Sequence, residues 1–192
     1  MARPRTISDE TILAATGVAI GRHGPGFTLA DVAREAGVAA GTLVGRFGSK
    51  RGLLLSATRA GSARTVAAMR AAADGAAPGP DALRAALLAA ARGLGDPDAA
   101  ANHLAQLGAD LADPDLRAAV GDQMDAMRAE LARIVRRASG LPGAPSPRRA
   151  ADALLAQWNG VLLAWSLDPR GALERRLARD LDSLIDPWRT HP

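Results

Sequence analysis

The chain has 192 residues, with 24 lysines and arginines against 20 acidic residues, no cysteine, and a formal net charge of +4. That length can hold one domain or two small ones, and the lack of cysteine excludes disulfides, thiolate metal sites and cysteine nucleophiles. No apolar run approaches the roughly 20 residues of a membrane span, and Met1-Ala2-Arg3-Pro4-Arg5 leads into polar Thr6-Ile7-Ser8-Asp9-Glu10, not into the apolar stretch of a signal peptide.

Alanine and leucine dominate, aromatic residues make up 3%, and no Val/Ile/Thr-rich alternating segment occurs, so an all-α fold is expected. The periodicity predicts nine helices, over 8–21, 29–36, 40–47, 50–73, 81–93, 97–111, 114–138, 147–167 and 171–185. Asp96-Pro97, Asp113-Pro114 and Ser146-Pro147 each offer a capping side chain followed by proline at the first helical position. Thr28-Leu29-Ala30-Asp31 reads as a weakened capping box, because Asp is shorter than the usual Glu or Gln. Asp74-Gly75-Ala76-Ala77-Pro78-Gly79-Pro80 and the Pro-rich segment 140–146 break the chain.

Charge is unevenly spread. Arg3, Arg5, Arg22, Arg34, Arg46, Lys50, Arg51 and Arg59 face only Asp9, Glu10, Asp31 and Glu35 in the first 60 residues, so the whole net charge of +4 resides there. A positive end on a neutral body suits a protein that meets a polyanion with one face. Lys50 is the sole lysine, and an ammonium can sit on a phosphate without the flat bidentate geometry of guanidinium.

Between Phe27 and Phe47 the apolar pattern has a helix-turn-helix form. Leu29, Val32, Ala33 and Ala36 share a face, Gly37 is placed to end the helix in a left-handed conformation, Val38 plugs the turn, and Leu43 and Phe47 point back to the core. Two short helices across a tight glycine turn lay the second in a DNA major groove.

These residues resemble the TetR family of transcriptional regulators. The resemblance is carried by Ile12-Leu13-Ala14-Ala15, Phe27-Thr28-Leu29-Ala30-Asp31-Val32-Ala33, Ala36-Gly37-Val38, Gly41-Thr42-Leu43 and Phe47-Gly48-Ser49-Lys50-Arg51-Gly52-Leu53-Leu54. It implies a DNA-binding domain over 1–56, joined through a long fourth helix to a ligand-binding and dimerising bundle over 57–192. The DNA-contacting set would be Thr28, Ala40, Gly41, Thr42, Arg46 and Lys50. Thr28 and Lys50 would hold phosphates, and Arg46, four residues after Thr42, would read guanine. Arg3 and Arg5 could reach the backbone or the minor groove, or equally belong to a disordered tail. Val44 stands where the family usually has an aromatic residue, Ala39 where it has a capping Ser or Thr, Gly45 lies inside a short helix, and Arg51-Gly52 replaces acidic residues.

In the C-terminal part, Leu154, Leu155, Trp158, Val161, Leu162 and Trp165 on helix 8 complement Leu173, Leu177, Leu181, Leu184 and Ile185 on helix 9. The resemblance favours these faces as a four-helix homodimer interface over an intramolecular core. Polar or soft residues on otherwise apolar helices, namely His103, Gln106, Gln123, Met124, Met127, Trp158 and Asn159, are candidates to hold a small, mostly apolar effector. Each has an ordinary alternative as core or surface. His23, His103 and His191 are scattered, and no phosphate-cradling loop occurs, so no enzyme activity, metal or cofactor is expected.

The expectation is a cytoplasmic, dimeric regulator, most simply a repressor released from an inverted-repeat operator in double-stranded DNA by a small molecule, with no membrane association. The alternatives are a DNA-binding regulator that no ligand controls, or a helical small-molecule-binding protein whose reading head is impaired.

Overall fold

A computed structural model describes residues 7–189. Arg3 and Arg5, assigned a DNA contact above, lie outside the described residues. Among the described residues there are nine α-helices and no strands: α1 Asp9–His23, α2 Leu29–Ala36, α3 Ala40–Phe47, α4 Lys50–Asp74, α5 Pro80–Ala90, α6 Pro97–Ala112, α7 Pro114–Arg137, α8 Pro147–Leu167 and α9 Leu173–Ile185. Short 3-10 turns follow α1 and α9. No helix among the described residues is long and apolar enough to cross a membrane.

The chain divides into two compact units. Among the described residues, one compact unit comprises residues 7–61 together with Ala101–Gly121, and the other comprises Ser62–Ala100 with residues 122–189. The first unit recruits 101–121 through three specific ties. Leu116 joins the core of Ile12, Phe27, Val32, Leu43 and Leu53. Asn102 donates from Nδ2 to the Gly21 carbonyl at 2.9 Å, satisfying the C-terminal end of α1. Arg51 binds Asp113 through two guanidinium nitrogens, at 2.7 and 3.0 Å, and Asp115 at 2.5 Å.

Local signals explain the helix ends. Ser8 caps α1 by accepting from the Thr11 amide, Asp96 accepts from the amides of Asp98 and Ala99, and Asp113 accepts from those of Asp115 and Leu116. Each such cap contributes about 1 kcal/mol. Ser146 makes no side-chain capping bond, contrary to expectation, so proline at the first position of α8 acts alone. The Arg51 guanidinium and these amides hold the Asp113 carboxyl down at about 2.

The second unit is built around Met69, Leu83, Leu87, Met127, Leu131, Leu154, Trp158, Trp165, Leu173, Leu177 and Leu181, all buried. α9 packs on α8 and α5. Most of the α8 and α9 faces predicted to join two chains is buried inside one: Leu154, Leu155, Trp158, Val161 and Trp165 share a core with Leu173, Leu177, Leu181 and Ile185, while Leu162 and Leu184 are half-buried against it. The physical reason is area. A two-helix face rich in leucine and tryptophan is stabilised as soon as its own chain covers it, and α5 and α7 do so. Glu130 is almost fully buried between Arg70 and Arg133. Burial pushes its carboxyl up, but the two guanidiniums outweigh that and hold it below the usual range.

Candidate nucleic-acid interface

α2, the turn and α3 take the form the sequence predicts. Thr28 accepts from the Asp31 amide at 3.2 Å, and the Asp31 carboxylate accepts from the Thr28 amide at 2.8 Å and hydroxyl at 2.7 Å. The box closes fully despite the short aspartate. Thr28, with the Arg34 guanidinium helping, holds the Asp31 carboxyl at about 2, ionised at any ordinary pH. Gly37 ends α2 with φ 68°, a left-handed conformation that any Cβ would strain. Val38 then donates to the Ala33 carbonyl at 2.9 Å and sets the angle at which α3 departs.

α3 is held from one side only. Leu43 is fully buried, Phe47 and Thr42 are half-buried, and Ala40, Gly41, Val44 and Gly45 are exposed. Ala39 supplies no side-chain cap. Gly52 allows a close pass at the junction with α4: a Cβ there would lie 2.1 Å from the Phe47 carbonyl oxygen, so that the backbone would have to shift. Arg51 and Gly52, which depart from the family pattern, thus have structural roles, the one binding two carboxylates and the other allowing close approach.

The basic residues expected to meet DNA are already engaged. Lys50 donates from Nζ to the Pro25 carbonyl at 2.7 Å and lies 4.1 Å above the centre of the Phe27 ring. Arg46 donates from Nη1 to the Ile7 carbonyl at 2.6 Å and the Asp9 carboxylate at 2.9 Å. Its guanidinium lies against the start of α1, and a guanine contact requires it to leave Asp9. The amide and hydroxyl of Thr28, proposed above for a phosphate, face the Asp31 carboxylate. Sequence reasoning missed these ties because the partners of Lys50 and Arg46 lie 25 to 39 residues away.

The expected effector residues are divided between the two units. Met127 and Trp158 are buried in the core of the second unit, where Trp158 donates from Nε1 to the Leu87 carbonyl at 3.0 Å. Asn159 is exposed and bonds back to the Leu155 carbonyl. Gln123 and Met124 are half-buried. His103 and Gln106 belong to the first unit, on one stripe of α6 with Asp110. Gln106 donates to Asp110 at 2.6 Å, while its own carbonyl oxygen is buried without a partner. Burial pushes the Asp110 carboxyl up and the His103 imidazole down. A cavity of ≈ 260 Å³ in the second unit is lined by Asp74, Pro78, Gly79, Arg133, Ile134 and Arg137 among others, and by none of the residues expected to hold an effector.

Residues 12–57 match the family of bacterial regulatory proteins described as the tetR family. No curated protein matches the chain in sequence. Among solved structures, a Rhodococcus protein assigned to the TetR family is 25% identical with a TM-score of 0.75, the match covering 95% of this chain and 98% of that one. The TetR transcriptional regulator SCO0520 of Streptomyces coelicolor is 24% identical with a TM-score of 0.70, covering 96% of this chain and all of that one (100%). The transcriptional regulator FadR of Bacillus subtilis, solved in complex with stearoyl-CoA, is 17% identical with a TM-score of 0.71, covering 96% and 100%. These last two share the fold alone. Residues 12–57 match the tetR family of bacterial regulatory proteins, and the chain as a whole is similar in fold to TetR-family transcriptional regulators.

Proposed function

We propose that the protein is a homodimeric regulator that binds an inverted repeat in double-stranded DNA through α3 and leaves it when a small molecule binds, acting as a repressor. The observation that carries this reading is the α2-turn-α3 unit itself: a closed capping box, a left-handed Gly37, and a second helix anchored by Leu43 with its opposite side exposed. Its setting in the positively charged first third of the chain supports a polyanionic partner. Lys50 and the N-terminal end of α2 would serve phosphates, while Arg46 fixes α3 to α1 through Ile7 and Asp9.

For dimerisation, the faces predicted from the sequence are unsuitable, being mostly core. The opposite stripe of α8 is the better seam. Ala156, Gly160, Leu163 and Leu167 are all exposed, at alternating intervals of four and three residues, with Leu163 50% and Leu167 78% exposed. For the effector, the unpartnered Gln106 oxygen beside Asp110 and His103 on α6 is the polar feature best suited to orient a ligand. An effector acts by binding the released state better, and shifts the equilibrium by no more than that difference.

The test is a titration of the purified protein against duplex DNA from upstream of its own gene, at two salt concentrations with random-sequence competitor. Binding that survives the competitor supports a specific regulator. Binding no tighter than to random DNA supports a second reading, a helical small-molecule-binding protein with an impaired reading head, which the internal engagement of Thr28, Arg46 and Lys50 favours.

A further inference from the structure

The outward stripe of α3 consists of Ala40, Gly41, Val44 and Gly45, one helical turn apart in pairs and all exposed. No side chain on it can donate or accept a hydrogen bond. Arg46, the polar residue adjoining it, is turned to Ile7 and Asp9, and Val44 is 50% exposed. The two glycines have no role in the chain's own packing. Neither has a positive φ, and a Cβ added at either meets nothing within 4 Å. Glycine inside a helix nevertheless costs about 1 kcal/mol relative to alanine. In a helix of 8 residues with one buried anchor, that cost is set against nothing inside the molecule.

What a bare, apolar helix face can meet in a major groove is narrowly defined. Every base presents hydrogen-bonding groups there, thymine its O4 only, and covering these with a valine leaves them desolvated and unpaired. Thymine alone presents a methyl group. We propose that α3 reads its operator by apolar contact and close approach: Val44 packs against the C5 methyl of a thymine, and Gly45, with Gly41, lets the helix backbone settle nearer the base edges than any side chain would permit. This rests on the reading of residues 12–57 as a DNA-binding domain, and it moves sequence selection from Arg46 to Val44.

The experiment starts from a randomised duplex pool enriched on the full-length protein, with the selected sequence resynthesised with uracil replacing thymine at one position at a time. Uracil keeps the base pair and removes only the methyl. At the contacted position, and at its symmetry mate, affinity should fall about fourfold each, the effect of one methyl group leaving an apolar contact. Val44→Ser should bind thymine and uracil duplexes equally. Gly45→Ala should raise the melting temperature and yet weaken specific binding, a combination that a merely structural glycine cannot give. A selected sequence bound tightly but indifferent to every uracil replacement overturns methyl reading while leaving DNA binding intact. A pool that never enriches above random sequence overturns both.

Discussion

α3 and α8 bury apolar surface on different scales. α3 buries only Leu43 among its 8 residues, whereas α8 buries Ala150, Ala151, Leu154, Leu155, Trp158, Val161 and Trp165 among its 21. α8 can be placed by packing alone, because each large side chain contributes about 1.5–3 kcal/mol. α3 lacks that anchorage. Its position depends on directional features: the Thr28–Asp31 box, the Gly37 turn, the close pass at Gly52 and the Arg46 ties to Ile7 and Asp9. A reading helix must leave one side uncovered for its target, so geometry replaces area as the means of holding it.

The largest effect that would test the contrast is in the body. Trp158→Ala should destabilise the protein by about 3–5 kcal/mol in urea denaturation, as expected for a buried aromatic residue. If the loss is under 1 kcal/mol, Trp158 is not core and its ligand role returns to consideration. Gly52→Ala, which adds a single methyl group, should cost about 1–3 kcal/mol because the Phe47 carbonyl must move. Thermal melting would show it, and an unchanged melting temperature would mean the junction gives freely. Thr28→Ala should cost about 1 kcal/mol through loss of the cap and should loosen α2 more than α8. Hydrogen exchange resolved by helix would reveal whether the loss is local.

The smallest effects are in titration. The folded Asp31 carboxyl, at about 2, lies below its unfolded value of 3.8. Its contribution is therefore fully present above pH 4 and fades as the pH falls toward 2. A carboxyl carbon chemical shift that titrates at an ordinary value would show the box open in solution. His103 has the same sign for a different reason. Burial lowers its pKa, so its unfolded form takes up protons first, and stability should decline as pH drops through 6.5. Comparing His103→Gln with wild type at pH 5 and 8 checks this, since the gap between them should change with pH.

Local physics accounts for what the sequence made legible. The helices, the left-handed Gly37, the capping carboxylates of Asp96 and Asp113 and the core positions Val32 and Leu43 follow from neighbours a few residues apart. Contacts between distant segments were not legible. Arg51 meets Asp113 across 62 positions, and nothing near Arg51 announces it. An apolar face shows that it will be covered but not by what, which is why the inner faces of α8 and α9 read equally well as a seam between chains. The candidate site was legible in outline, as a helix-turn-helix, and not in its polar detail, because arginine reaches far enough to choose among several acceptors.

The position of Lys50 has one further consequence. As the sole lysine, it carries the only ε-amine in the chain, at the first residue of α4 and half-buried against Phe27 and the Pro25 carbonyl. Any acylation of a lysine side chain in this protein therefore falls on the helix-turn-helix junction. A protease specific for lysine has one cleavage site, at Lys50 where α4 begins. Limited digestion with that protease thus becomes a single-point reporter of whether the turn before Phe27 is closed over that ammonium.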